Sequence, residues 1–247
     1  MHSPVEQFTI KVLYSLSLLG YDISFTNSSL FMVLAILVSS GFLLAAMRPA
    51  LIIPGKIQCL AEMLYEFVAN ILDSTVGKEG KPYFPFIFTL FLFILFSNLL
   101  GLIPYSYTVT SQIVVTFAMA FTIFVGVTLI GLLKHGLHFF SFFVPEGAPK
   151  ALLPLIILIE VISYLIRPVS LSVRLFANML AGHTMLKVFA GLAVMMTGAG
   201  GLLFISSPLP LLVIVALTGL ELLVAMLQAY VFTILTCMYL NDALHLH

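Results

Sequence analysis

The sequence predicts an all-α integral membrane protein with five membrane-crossing helices and one amphipathic helix at the interface. The last two crossings are long and strongly tilted. Three observations lead there. Of 247 residues, 62% are hydrophobic and only 8% are charged, where soluble domains carry about 25% charge. Ten basic and ten acidic residues cancel, which excludes a disordered chain, a nucleic-acid binder and an ordinary soluble globule. Five apolar stretches reach the roughly 20 residues that a bilayer crossing needs.

The first crossing is Leu30 to Met47, stopped by Arg48-Pro49. Pro54 to Thr75 differs. It carries Lys56, Glu62, Glu66 and Asp73 among Ile57, Leu60, Leu64, Phe67, Val68 and Ile71. Those apolar residues recur at three- and four-residue steps, so one face is oily and the helix is expected to lie at the membrane surface. Pro54 suits its first turn. Phe84 to Ile103 and Gln112 to Leu133 are the next crossings, joined by the short linker 104–111 into an antiparallel hairpin. A more polar linker, 134–150, follows.

Residues 151–190 and 208–240 are two further apolar stretches, separated by a loop rich in Gly and Ser. As helices they would reach about 60 Å and about 50 Å, twice the roughly 30 Å hydrocarbon core. Each must incline, bend or protrude, and Pro154 and Pro168 are candidate kinks in the first. No charge lies between Lys187 and Glu221, which argues for inclination. The whole chain, 1–247, reads as one membrane domain. Lys and Arg at positions 48, 56, 78, 81, 134 and 150 fall on one side with the C-terminus, against Lys11 and Lys187 on the other. The N-terminus is therefore expected outside and the C-terminus in the cytoplasm or its organellar equivalent. The first 28 residues show neither a signal-peptide nor a transit-peptide pattern.

Residues 151–240 contain only five charges: Glu160, Arg167, Arg174, Lys187 and Glu221. A charge at the membrane centre costs at least about 2.5–3.5 kcal/mol, so such residues mark ion pathways or functional pairs by default. At 100° per residue, Glu160, Arg167, Arg174 and Asn178 share one helical stripe within about 40°. His183 points to the opposite side. Glu221 and Gln228 share a face of the last helix. Arg stays protonated, so Arg174 can hold charge but cannot relay a proton. Glu160, His183 and Glu221 can relay one if suitably tuned. Titratable groups offset toward the two surfaces thus flank one fixed cation.

Structural readings stand beside these. Glu160 and Arg167, a heptad apart, can form a packing ion pair, or Arg167 can satisfy carbonyls freed by Pro168. Lys187 can snorkel to the interface. Gln228 can make an interhelical hydrogen bond. His135 and His138, like His245 and His247, are weak pointers to a metal. Cys59 and Cys237 have no metal-ligand or disulfide spacing. No cofactor or metal is expected. No Gly-rich phosphate loop appears, so nucleotide chemistry is not expected in this chain.

The run Arg167-Pro-Val-Ser-Leu-Ser-Val-Arg-Leu-Phe-Ala-Asn-Met-Leu-Ala-Gly-His183 closely resembles the signature of subunit a of F-type ATP synthases. Gly219-Leu-Glu-Leu-Leu-Val-Ala-Met-Leu-Gln-Ala-Tyr-Val-Phe-Thr-Ile-Leu235 resembles the last helix of that family. Asn98 to Pro104 and Tyr239 to Asp242 also match. The Ala-Gly-His form and the start Ser24 to Ser29 look like the mitochondrial and alphaproteobacterial branch. The resemblance implies a stator subunit beside a rotating subunit c ring, with a peripheral-stalk subunit b and other membrane subunits as partners. It implies two proton half-channels, with Arg174 as the essential cation, Asn178 and Gln228 supporting it, His183 and Glu221 in the outer half-channel, and Glu160 in the inner one. The mitochondrial inner membrane is the favoured location, a bacterial inner membrane the alternative. The rival classes are a stand-alone proton-coupled transporter, which should show paired repeats with broken helices, and a structural membrane subunit, which has no need of Arg174 and Glu221 in lipid.

Overall fold

The computed structural model describes residues 9–15, 17–18, 21–22, 24–48, 53–103, 106–136, 138–139, 153–199, 206 and 208–245. The linker 140–150 and the Gly-rich loop 200–205 lie outside them, as do 151–152 at the start of the predicted fifth stretch and His247. The described chain is helical, with α1 (Asn27–Met47), α2 (Lys56–Thr75), α3 (Phe84–Gly101), α4 (Ile113–His135), α5 (Leu153–Ala199) and α6 (Pro208–Leu244). Five of these are long and apolar enough to cross a membrane, and the amphipathic α2 is not among them.

The boundaries differ from those predicted in instructive ways. α1 starts three residues earlier than Leu30, because Thr26 Oγ1 accepts the Ser29 N–H at 3.4 Å and Asn27 Oδ1 accepts the Ser28 N–H at 2.9 Å. Such side-chain caps satisfy the free amides of a first turn. α2 starts after Gly55, so Pro54 precedes the helix rather than opening it. α3 ends at Gly101, not Ile103. α5 runs nine residues past Ala190, through Gly191, and α6 four past Leu240. Pro154 sits in the first turn of α5, where proline is pre-organised and does not kink. The α-helix continues through the buried Pro168. Before α1, short antiparallel pairs join β1 (Val12–Tyr14) to β4 (Phe25–Thr26), and β2 (Ser17–Leu18) to β3 (Tyr21–Asp22). These pairs were not foreseen.

At 1.5 Å per residue, α5 with 47 residues and α6 with 37 span about 70 Å and about 55 Å. Large apolar side chains are exposed on the spans, among them Leu37 at 62%, Val114 at 75% and Val215 at 73%. In water such surface would aggregate. In a bilayer it is solvated by lipid tails.

The chain divides into two compact units. One comprises Met1–Ser40, Phe93–Gln112 and Leu175–Ala229. Its centre is Asn98 on α3, fully buried. The Asn98 amide donates to the Ala225 carbonyl of α6 at 3.3 Å and accepts from Thr110 Oγ1 at 2.8 Å. It therefore ties α3, the following loop and α6 together. Replacing Asn98 by Ala removes both bonds and strands the buried Thr110 hydroxyl. The expected cost is about 2 kcal/mol, visible as earlier heat-induced loss of the detergent-solubilised protein. Unchanged heat resistance would remove Asn98 from this role.

The other unit comprises Gly41–Leu92, Ile113–Arg174 and Tyr230–His247. Here Val68, Ile71 and Leu72 of α2 are buried, and Phe67 meets Phe91 and Tyr230 with ring centroids 5.9 and 5.7 Å away. The oily face of α2 thus has protein partners. Lys134 pairs with Glu79 and donates to the Leu244 carbonyl at 3.3 Å. His135 Nε2 meets the same carbonyl at 3.1 Å. Two basic groups so cover the Leu244 carbonyl at the end of α6. This occupies Lys134 and His135, and no cluster of three metal-ligating residues occurs among the described residues.

Candidate functional site

A histidine and a carboxylate meet in the first unit. His183, on α5, places Nδ1 3.5 Å from Oε1 of Glu221 on α6. Glu221 is 5% exposed, and neither carboxylate oxygen has a hydrogen-bond partner among the described residues. Burying a lone charged carboxylate costs several kcal/mol. Two states avoid that cost: a protonated Glu221, or a carboxylate facing a His183 imidazolium. The pair therefore favours holding one shared proton, which can pass between its members.

Local sequence makes room for this contact. A Cβ on Gly182 would lie 2.7 Å from Glu221 Oε1 and 3.1 Å from its Cδ. Only glycine leaves space for the carboxylate beside the helix. On its far side the His183 ring reaches Thr108, with Nε2 and Oγ1 2.8 Å apart. Thr108 is buried and starts the 3-10 turn Val109–Ser111.

His183 also lines an open cleft of about 730 Å³, together with Lys187, Ser106, Tyr107, Thr218 and Lys11. The order from the cleft inward is thus His183, then Glu221. Burial pushes the Tyr107 phenol above the ordinary tyrosine range, so Tyr107 stays a neutral hydroxyl at the cleft. Lys187 faces the same cleft rather than standing apart. Asn178 is half-buried and Gln228 buried. No hydrogen bond joins either of them to His183 or Glu221 among the described residues.

The second unit holds another charged group. Arg167 on α5 donates from Nη1 to Asp242 Oδ2 on α6 at 2.8 Å. Its guanidinium lies 5.4 Å from the Tyr164 ring centroid and 5.1 Å from that of Tyr239. Such cation–π contacts retain a guanidinium in apolar surroundings. Tyr164 in turn shares a 2.7 Å hydrogen bond with Thr128 of α4. Asp242 thus provides the ion-pair partner for which the sequence had offered Glu160. Glu160 is half-buried on α5. Arg174 is exposed, beside the exposed Val173, and makes no hydrogen bond or ion pair among the described residues.

Of the residues singled out from sequence, the structure brings His183 and Glu221 together. Thr108, Asn98 and the roles of Gly182 and Asp242 were missed. Their partners lie 75 residues away for Thr108 and Asp242 and 127 away for Asn98, beyond any local periodicity. The Asn98, Gly182 and Asp242 positions did stand within the resemblance motifs, which was the one available signal.

The family described as ATP synthase A chain matches residues 29–241. ATP synthase subunit a of Rhodospirillum rubrum is 55% identical over 247 residues, covering 100% of both chains. Proteins of the same name from Rhizobium rhizogenes and Agrobacterium fabrum are 54% and 55% identical over 244 residues, covering 99% of this chain and 98% of theirs. These relatives are bacterial, so the mitochondrial inner membrane, favoured from the sequence, finds no support among them.

Proposed function

The chain belongs to the ATP synthase A chain family, and we propose that it is the stator subunit that carries protons to and from a rotating ring of subunit c in an F-type ATP synthase of a bacterial inner membrane. A peripheral-stalk subunit b and other membrane subunits hold it in place. α5 and α6 run steeply inclined, because their lengths exceed the bilayer about twofold.

Protons reach the outer cleft, bind at His183 and pass to Glu221. From Glu221 a proton neutralises a ring carboxylate, which can then face lipid without the cost of a buried charge. After most of a turn the carboxyl meets the inner side near Glu160 and ionises. Arg174 stands between the two routes, supported by Asn178 and Gln228. It keeps the ring carboxylate ionised across the gap and bars direct passage of protons. Each proton crossing 100 mV releases about 2.3 kcal/mol, so several protons must cross for each ATP made. A stand-alone transporter or a purely structural subunit would not need a ring carboxylate opposite Arg174.

The observation that carries this reading is the buried Glu221 carboxylate 3.5 Å from His183, itself open to the cleft. A thiol placed in the cleft tests it. Cys59 and Cys237 are first replaced by Ser and Ala, and Thr218 then becomes Cys. Thr218 lines the cleft and, among the described residues, bonds only to its own helix, at 2.8 Å to the Ile214 carbonyl. A membrane-impermeant thiol reagent added from outside is expected to remove most proton flux through the assembled complex. The same reagent on a Leu222→Cys control, exposed elsewhere on α6, should leave flux intact. Undiminished flux after complete labelling at residue 218 would show that the cleft is not the route.

A further inference from the structure

The His183 ring has two nitrogens, and the proposed route needs only one of them to exchange protons. Thr108 occupies the other. Its Oγ1 lies 2.8 Å from Nε2 and also 3.4 Å from the Gly101 carbonyl. A hydroxyl has a single proton to donate. Both contacts are satisfied together only when Thr108 donates to the Gly101 carbonyl and accepts from a protonated Nε2. If the hydroxyl instead donated to Nε2, the buried contact to Gly101 would lose its hydrogen.

The hydroxyl oxygen is held in place from several directions. The Thr108 carbonyl accepts the Ser111 hydroxyl at 2.6 Å and the Ser111 N–H at 3.2 Å. Against its side chain stands Gly101, where a Cβ would come within 2.7 Å of Thr108 Cγ2. Thr108 and Ser111 are both buried. The acceptor is therefore preorganised and does not move when the ring changes charge.

We propose that Thr108 is a positioning residue that fixes the proton of neutral His183 on Nε2, leaving Nδ1 as the single nitrogen that takes up a proton and hands it to Glu221. The step balances. Nδ1 gains a proton from the cleft and the ring becomes an imidazolium, with Nε2–H still donating to Thr108. The Nδ1 proton then passes to Oε1 of Glu221, and the ring returns to its starting tautomer. No ring flip and no tautomer exchange are needed between successive protons. This inference rests on the proposed route through His183 and Glu221.

The test uses the assembled complex with [15N]histidine labelling, the His183 signal being identified by its loss in His183→Gln. At alkaline pH the neutral ring should be protonated at Nε2. In Thr108→Val, which keeps the shape and removes the hydroxyl, a mixture of tautomers should appear. ATP-driven proton pumping in vesicles should fall about tenfold. Thr108→Ser should keep the Nε2–H tautomer and pump within about twofold of wild type. A purely structural role would lower activity without moving the tautomer. Protonation of wild-type His183 at Nδ1 would overturn the proposal, as would a Thr108→Val complex that pumps normally. If Thr108→Val fails to assemble, Thr108→Ala takes its place, and the wild-type tautomer decides the matter even without either variant. Normal pumping by Glu221→Gln would instead sink the route itself. Lost pumping in Glu221→Gln alongside normal pumping in Thr108→Val would sink only the role of Thr108.

Discussion

Replacing Arg174 by Ala is expected to reduce ATP-driven proton pumping by at least a hundredfold and to raise the passive proton leak of the same vesicles. The reasoning starts from exposure. Arg174 lies on the surface of α5 next to exposed Val173 and makes no hydrogen bond or ion pair among the described residues. A guanidinium facing hydrocarbon costs about 2.5–3.5 kcal/mol or more. In the proposed route that cost is offset when a carboxylate of the rotating ring comes opposite it. At about 4 Å and an effective dielectric of about 20, the attraction is about 4 kcal/mol, close to a thousandfold in the ionisation equilibrium of that carboxylate. Alanine removes this bias, so the carboxylate can cross the gap protonated and carry protons without useful rotation. The barrier to direct leak goes with it. Assembly is checked by copurification of the other subunits, and Arg174→Lys separates charge from shape. Lysine keeps the positive charge but lacks the planar fork, so it should restrain the leak better than it restores pumping. Normal pumping and an unchanged leak in Arg174→Ala would make Arg174 a packing residue.

Much of this architecture could be read in the sequence, because membrane solvation writes it there. A helix in lipid must satisfy every backbone group internally, so apolar runs of the right length become helices almost without exception. The ends were harder, since rules for water do not hold in lipid. Gly191 reads as a stop in a soluble helix, yet α5 continues to Ala199, in keeping with the tolerance of transmembrane helices for glycine. At the other extreme, α1 gained three residues through polar caps at Thr26 and Asn27, groups that hydropathy scores against a helix.

The site divides in the same way. Arg174 and Glu221 were conspicuous as charges among apolar neighbours. His183 drew attention by its chemistry and by the surrounding motif. Thr108 and Thr110 are ordinary residues in an ordinary loop, and only the folded chain shows that Thr108 reaches His183 while Thr110 meets Asn98 of α3. Arg167 shows the converse. Its charge was visible, but its partner Asp242 lies beyond any spacing rule and was read as part of a motif without a role.

Glu221→Gln should separate function from stability more sharply than any other change in this chain. Glutamine keeps the length and shape of the side chain, and beside Gly182 it meets the same space. What it loses is the ability to bind and release a proton. Removing a positioned proton carrier typically slows a transfer by about 10²–10⁴-fold, so pumping and proton-driven ATP synthesis should fall by at least a hundredfold. Stability should move the other way or not at all. The wild-type carboxylate is buried and, among the described residues, lacks a hydrogen bond and has His183 at 3.5 Å as its charge partner. A neutral amide there avoids the desolvation cost of an ionised group. Heat inactivation of ATP hydrolysis by the assembled complex should therefore begin no earlier than in wild type. A residue kept for packing would show the reverse pattern, with lost stability and normal pumping. A Glu221→Gln complex that assembles and pumps at the wild-type rate would mean that protons do not pass through Glu221, and the cleft beside His183 would then need another purpose.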